Sequence, residues 1–301
     1  MIDQATRLRE IIHQNKIKKN SQNSTENMEE KTSNNARIIC VTSGKGGVGK
    51  TNFTTNLAIA LSKLNKRIVI IDADLGLANV DVISGVIPKY TLLDVIKYGK
   101  DITEIMNTGP NGIRIISGGS GILDLVDMRE EDLKILINNF NKIDEYADII
   151  LIDTGAGLSK SVLSFVMAAT EVIIVTTSEP TSITDAYAMI KSIGLKDKSK
   201  KVNIVVNRVE NLDDGKLAFD KLKNVTNKFL YMEINKLGFL FEDIHVRKAV
   251  KQQKPFVLEY PNTIVSKNIN NIALKLTNNF VEDNQKEKSK NFFVRVLEFF
   301  K

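Results

Sequence analysis

Eight consecutive residues, Gly44-Lys45-Gly46-Gly47-Val48-Gly49-Lys50-Thr51, constrain this chain more than any other part of it. They fit the pattern G-x-x-x-x-G-K-[ST]. The run from Ile38 to Thr42 before them reads as a strand, and TNFTTNLAIALSKLNK after them reads as a helix, which is the context the pattern needs. Glycines let the backbone curl until successive N–H groups converge on phosphate oxygens, and the helix that follows adds its partial positive end. In such a loop Lys50 reaches the β- and γ-phosphates and the Thr51 hydroxyl takes Mg²⁺. Asn52 completes the nucleotide-binding stretch 44–52.

The rest of the chain supplies a scaffold for that loop. Apolar runs, continuous and not alternating, recur as RIICVTS, RIVIIDAD, IRIISGG, DIILIDTG, EVIIVTT, KVNIVVN and KLGFLF. Such runs mark strands buried on both faces. Stretches of helical periodicity separate them, so the expected fold is α/β, a mostly parallel twisted sheet with helices on both faces. Apolar residues make up 43% of 301 positions, enough for a sizeable core. The single cysteine, Cys40, excludes an internal disulfide. No apolar run approaches the roughly 18 residues of a spanning helix, and the N-terminus is too polar for a signal peptide. A net charge of +6 suits an anionic partner without choosing among membrane, nucleic acid and nucleotide.

Two strands deliver carboxylates to the same crevice. RIVIID ends in Asp72-Ala73-Asp74, and a carboxylate at the C-terminal end of a strand faces the ligand in open α/β sheets. Asp153 follows DIILI and precedes Thr154-Gly155-Ala156-Gly157, a pattern in which the carboxylate holds Mg²⁺ and the glycines allow a loop that senses the γ-phosphate. A further strand ends in Asn207-Arg208.

GKGGVGKT, with its early second lysine, resembles the deviant Walker A loop of the MinD/ParA/Mrp ATPases, the SIMIBI class of P-loop NTPases. The resemblance implies ATP/ADP as nucleotide with Mg²⁺ as cofactor, and a homodimer formed on ATP binding. In it Lys45 crosses to the partner's nucleotide, a role analogous to an arginine finger. The implied catalytic residues are Lys45, Lys50 and Asp74, with Asp74 placing the attacking water. Thr51 and Asp153 would serve the metal, with Asp72 supporting its shell. Asn207, with Arg208, would read the adenine edge. SEPTSITDAY (178–187) resembles the strand-to-helix turn of the family's dimer interface. The closing segment GFLFEDIHVRKAVKQQKPF departs from the family, which has a proline before an acidic residue where this chain has Phe241-Glu242-Asp243.

Two further stretches point to one branch. DADLGLANVDVISG (72–85) resembles the switch I region of the flagellar MinD-like ATPases (FlhG, also called YlxH or FleN). Asp3-Gln4-Ala5-Thr6-Arg7-Leu8-Arg9 matches that branch's N-terminal DQAxxLR element. The resemblance implies that this element binds an FlhF-type, signal-recognition-like GTPase and stimulates it. Asp3, Gln4, Ala5, Leu8 and Arg9 carry it, with Gln4 completing the partner's site and Ile2, Ala5 and Leu8 docking the helix.

The chain thus divides into a partner-activating segment 1–20, a flexible Asn/Ser/Glu-rich linker 21–36, an ATPase domain 37–282, a linker 283–289, and a helix 290–301. In KNFFVRVLEFFK, residues Phe292, Phe293, Val296, Leu297, Phe299 and Phe300 form one broad apolar face. At 1.5 Å per residue it spans about 18 Å, too short to cross a bilayer but suited to lying in its surface, like the membrane-targeting helix of MinD and FlhG. The same face also suits packing on the protein's own surface, and the two states can alternate with nucleotide. The expectation is a cytoplasmic ATP-hydrolysing switch at the inner face of the membrane, setting flagellum number or placement. Its expected partners are lipid, the GTPase and flagellar basal-body components, and no nucleic acid. A MinD-type division-site ATPase, a ParA-like partition ATPase and a non-hydrolysing nucleotide-binding adaptor stand as alternatives.

Overall fold

The computed structural model describes residues 36–74, 79–118, 139–140, 142–278 and 289–300. The partner-activating residues Asp3, Gln4, Ala5, Leu8 and Arg9 and nearly all of both linkers lie outside them. Among the described residues eight strands form one sheet: β1 (Arg37–Ser43), β2 (Ile68–Ala73), β3 (Asn107–Thr108), β4 (Arg114–Ser117), β5 (Ile149–Ala156), β6 (Glu171–Thr177), β7 (Lys201–Val209) and β8 (Asn235–Phe241). Their order is β3-β4-β2-β5-β1-β6-β7-β8. All neighbours run parallel except β3 and β4. The seven apolar runs became strands. β3, two residues long, carries too little pattern to be read from sequence.

The α-helices among the described residues are α1 (Lys50–Ser62), α2 (Val80–Ser84), α3 (Leu92–Tyr98), α4 (Ile102–Ile105), α5 (Lys160–Ala168), α6 (Pro180–Gly194), α7 (Leu212–Leu230), α8 (Ile244–Lys251), α9 (Phe256–Glu259), α10 (Ile264–Asn278) and α11 (Ser289–Phe300). They lie on both faces. In β1, Ile38 and Cys40 enter a core with α5, α6, α7 and α11, whereas Ile39 and Val41 enter a second core with α1, α9 and α10. This division explains why the strands are apolar without interruption.

β1 lies at the centre, where the connections reverse direction. The chain leaves it towards β2 on one side and returns from β5 to β6 on the other. Ligands bind at such a switch point, outside the C-terminal ends of the strands. At the opposite end of the sheet, the Arg37 guanidinium grips the Glu171 carboxylate and donates to the Leu276 carbonyl at 2.7 Å, tying β1 and β6 to the end of α10.

The C-terminal helix α11 packs on the domain. Phe292, Phe293 and Val296 are buried in the same core as Val162 and Phe165 of α5. The Phe292 ring lies 6.3 Å from that of Phe165, and Phe293 stacks on Phe140. Three residues of the apolar face read from sequence, Phe292, Phe293 and Val296, are therefore covered here.

Candidate nucleotide site

The loop 44–51 leaves β1 and turns into α1 through Gly47 and Gly49, whose φ values of 76° and 89° are open to glycine at little cost. Gly49 is also boxed in. A β-carbon there would collide with the Asn207 side-chain amide. Asn207 holds this position by donating from Nδ2 to the Val48 carbonyl at 2.7 Å and accepting from the Arg208 N–H at 2.9 Å. A Gly49→Ala protein should therefore bind ATP at least tenfold more weakly, since left-handed backbone alone costs a side chain roughly 1–2 kcal/mol. Titration with a fluorescent ATP analogue measures this.

Inside the loop lies a buried ion pair. Lys50 Nζ is 3.1 Å from Asp153 Oδ1, with the two side chains 7% and 0% exposed. Thr54 donates to the same Oδ1 at 2.7 Å, while Asp153 Oδ2 is buried without a hydrogen-bond partner. An orphaned carboxylate oxygen at this depth is costly unless something electropositive completes it. With the Thr51 hydroxyl 3.4 Å from Lys50 Nζ, the donor set is hard oxygen beside a phosphate loop. These residues fit Mg²⁺ with a nucleotide. Thr54 was missed in the sequence because a threonine inside a helix carries no signal of its own.

The two carboxylates at the C-terminal end of β2 differ in load. Asp72 sits beside Asp153 in the parallel register and is almost wholly buried. One of its oxygens accepts from the Asp74 N–H at 3.1 Å; the other accepts from Asn79 and Val80 at 3.1 and 3.2 Å. It thereby clasps both ends of the 74–79 loop. Burial, and then the neighbouring Asp153, push its carboxyl up to about 7 against these hydrogen bonds. Asp74 is only partly buried and lies close to Gly155, where an added β-carbon would stand 3.5 Å from its Oδ1. β2 and the loop after β5 thus bring Asp74 and the Asp153 turn together.

Lys45 points elsewhere. Its ammonium donates to Glu179 Oε2 and Thr181 Oγ1, each at 3.0 Å, at the turn into α6. The turn 178–187 singled out in the sequence therefore holds this lysine, a contact that no spacing rule foretold. Both partners are substantially exposed, at 39% and 64%. Such a surface pair contributes at most about 1 kcal/mol and exchanges readily. Asn52 is spent on α1: its carbonyl and Oδ1 accept from Asn56 Nδ2. Beyond the β8 end, Asp243 caps α8 by accepting from the His245 N–H at 2.8 Å, and Glu242 pairs with Arg247.

A family model, ParA, described as NUBPL iron-transfer P-loop NTPase, matches residues 34–277. The antiactivator FleN of Pseudomonas aeruginosa is 41% identical over 240 residues, covering 80% of this chain and 86% of that protein. The flagellum site-determining protein YlxH of Helicobacter pylori is 35% identical over 279 residues, covering 88% and 91%. Among solved structures, MinD in the Aquifex aeolicus MinC:MinD cell division complex superposes with a TM-score of 0.65 at 27% identity, covering 81% of this chain and 96% of that one.

This chain is a MinD/ParA-family P-loop ATPase of the FlhG (FleN/YlxH) type.

Membership fits the geometry described above. The deviant Walker A loop carries both lysines, Lys50 paired internally and Lys45 turned outward.

Proposed function

We propose that this FlhG-type ATPase is a spatial switch. ATP and Mg²⁺ bind at residues 44–51, two copies close face to face over the nucleotides, and hydrolysis parts them. Its output is residence at the inner face of the membrane, where it sets flagellum number or placement. The FleN and YlxH likenesses support the flagellar assignment. Thr51 and Asp153 would hold the metal beside Asp72, and Asn207 and Arg208 would line the base. Bound Mg²⁺ neutralises charge on the β- and γ-phosphates. Lys50 stays on its own nucleotide, Asp74 positions the attacking water, and Lys45 leaves Glu179 and Thr181 for the partner's nucleotide.

One observation carries the switch. Between the proposed metal site and the C-terminal helix there is a short path. Asp153 is followed by Gly155, whose added β-carbon would stand 3.7 Å from Val162 Cγ2, and by Gly157 at φ 88°. Ser159 then caps α5 by accepting from the Val162 N–H, and α5 carries the Val162–Phe165 surface that covers α11. A γ-phosphate that reorders the 153–157 turn shifts α5 and loosens α11. Freed, that helix lies in the bilayer surface with Phe292, Phe293, Val296, Leu297, Phe299 and Phe300 in the acyl boundary. One helix binds weakly; two on a dimer gain avidity of about 10²–10⁴.

Two experiments test this. Lys45→Ala should lower ATPase activity about 10³-fold or more, as loss of a trans-acting cation does. ATP affinity should stay near wild type, because the Lys45 ammonium is turned away to Glu179 and Thr181. Activity that does not rise with protein concentration would count against the dimer. Residues 1–20 should stimulate an SRP-like GTPase, and Gln4→Ala should abolish the stimulation without weakening a pull-down. Undiminished stimulation would remove the role assigned to Gln4.

A further inference from the structure

The phosphate loop is braced at both ends and open at its crown. At its start a β-carbon on Gly44 would collide with the Asp185 carbonyl, so α6 lies directly against the backbone there. Around Gly46 and Gly47 there is open space. At its end Val48 is buried, and its carbonyl accepts from Asn207 Nδ2 at 2.7 Å. That same amide nitrogen blocks the space beside Gly49. The second brace therefore comes from β7, which is separated from β1 by β6.

A defect in the sheet aims it. β7 pairs with β8 at Val206–Phe239 and again at Val209–Phe241, with a register shift between. Asn207 and Arg208 thus stand against Leu240 alone, which is a bulge, and bulges beside functional sites redirect side chains. Arg208 takes the rest of the distortion, at φ 55°. That left-handed backbone is uncommon for a residue with a side chain. Asn207 Oδ1 accepts from the Arg208 N–H at 2.9 Å and so fixes the orientation of its own amide. On the other side Asn207 stays level with Thr177 of β6. The amide therefore reaches past β6 towards a loop whose strand lies two spacings, or about 9.5 Å, away.

An asparagine reserved for a base edge would keep its amide free. This one has both polar atoms engaged inside the protein, the nitrogen with the loop and the oxygen with its own turn. We propose that Asn207 is a positioning residue of the phosphate loop, holding Val48 and Gly49 in the phosphate-binding conformation before a nucleotide arrives. This rests on the nucleotide reading above and gives the residue a role that does not depend on the base. A loop ordered in advance loses less conformational freedom on binding.

Hydrogen exchange followed by mass spectrometry tests the brace in nucleotide-free protein. Asn207→Ala should speed exchange of the 44–51 amides about three- to tenfold, the worth of one hydrogen bond, and leave β7 residues 201–206 at the wild-type rate. Asn207→Asp keeps the size and the acceptor but offers Val48 no donor, so it should exchange as fast as Asn207→Ala. Binding gives the second readout. Asn207→Ala should weaken Mg²⁺-AMPPNP and Mg²⁺-tripolyphosphate, which has no base, by the same three- to tenfold factor. Exchange unchanged in either variant would overturn the brace. So would a loss confined to AMPPNP, which would return Asn207 to the base alone. Wild-type protein that bound no AMPPNP would overturn the nucleotide reading itself.

Discussion

Replacing Lys50 with alanine is expected to lower ATP turnover by about three orders of magnitude or more and to destabilise the nucleotide-free protein at the same time. The first effect follows from the role proposed for the lysine, a fixed cation for charge developing on the transferred phosphoryl group. The second follows from the 3.1 Å pair with Asp153. Both side chains are buried, and removing one partner strands the other charge, at a cost of about 3–5 kcal/mol. The two effects separate by substitution. Asp153→Asn keeps the shape, still offers Thr54 an acceptor, and lifts the negative charge. The Lys50 ammonium loses its counter-charge but keeps an amide oxygen to donate to, so the cost in stability should be smaller than for Lys50→Ala while Mg²⁺-dependent turnover is still crippled. Thermal unfolding without nucleotide and steady-state ATPase measurements at saturating Mg²⁺ give both numbers. A Lys50→Ala protein that melted like wild type would mean the pair is not closed in solution.

Some of this site was legible before any coordinates. The phosphate loop, Asp153 and the Asp72/Asp74 pair announce themselves because each depends on local order: glycines at fixed offsets, or a carboxylate ending an apolar run. Tertiary neighbours do not. Thr54 completing Asp153, Asn207 filling the space over Gly49, and Glu179 with Thr181 holding Lys45 join residues about 100 or more positions apart. No short-range pattern encodes such a meeting. Asp72 shows a different limit. Its position at a strand end suggested support for a metal, and the structure adds three backbone N–H bonds to it, from Asp74, Asn79 and Val80. The sheet itself was readable strand by strand, because burial on both faces leaves no room for alternation; β3 fails that test by being two residues long.

The helix α11 poses the same problem in a sharper form, since one apolar face serves two solvents. Its periodicity is compatible with a bilayer and with α5 alike, and the structure shows the second. If docking and insertion compete for Phe292, Phe293 and Val296, weakening the groove must strengthen the membrane. Phe165→Ala is the clean way to do so, because it leaves α11 untouched. Phe165 is buried against Phe292, and truncating a buried phenylalanine costs about 3–5 kcal/mol. Much of that is felt by the docked helix, whose undocked state then becomes populated. The fraction of competent protein scales apparent affinity directly. Vesicle binding without ATP should therefore rise at least tenfold, and its dependence on ATP should shrink. Phe292→Asp should have the opposite result, losing both docking and membrane binding. Flotation with and without ATP measures all three proteins, and retained ATPase activity in Phe165→Ala confirms that the domain is folded. ATP-free binding that stayed at the wild-type level in Phe165→Ala would show that the groove does not restrain the helix, and α5 could then not be the element through which the nucleotide acts.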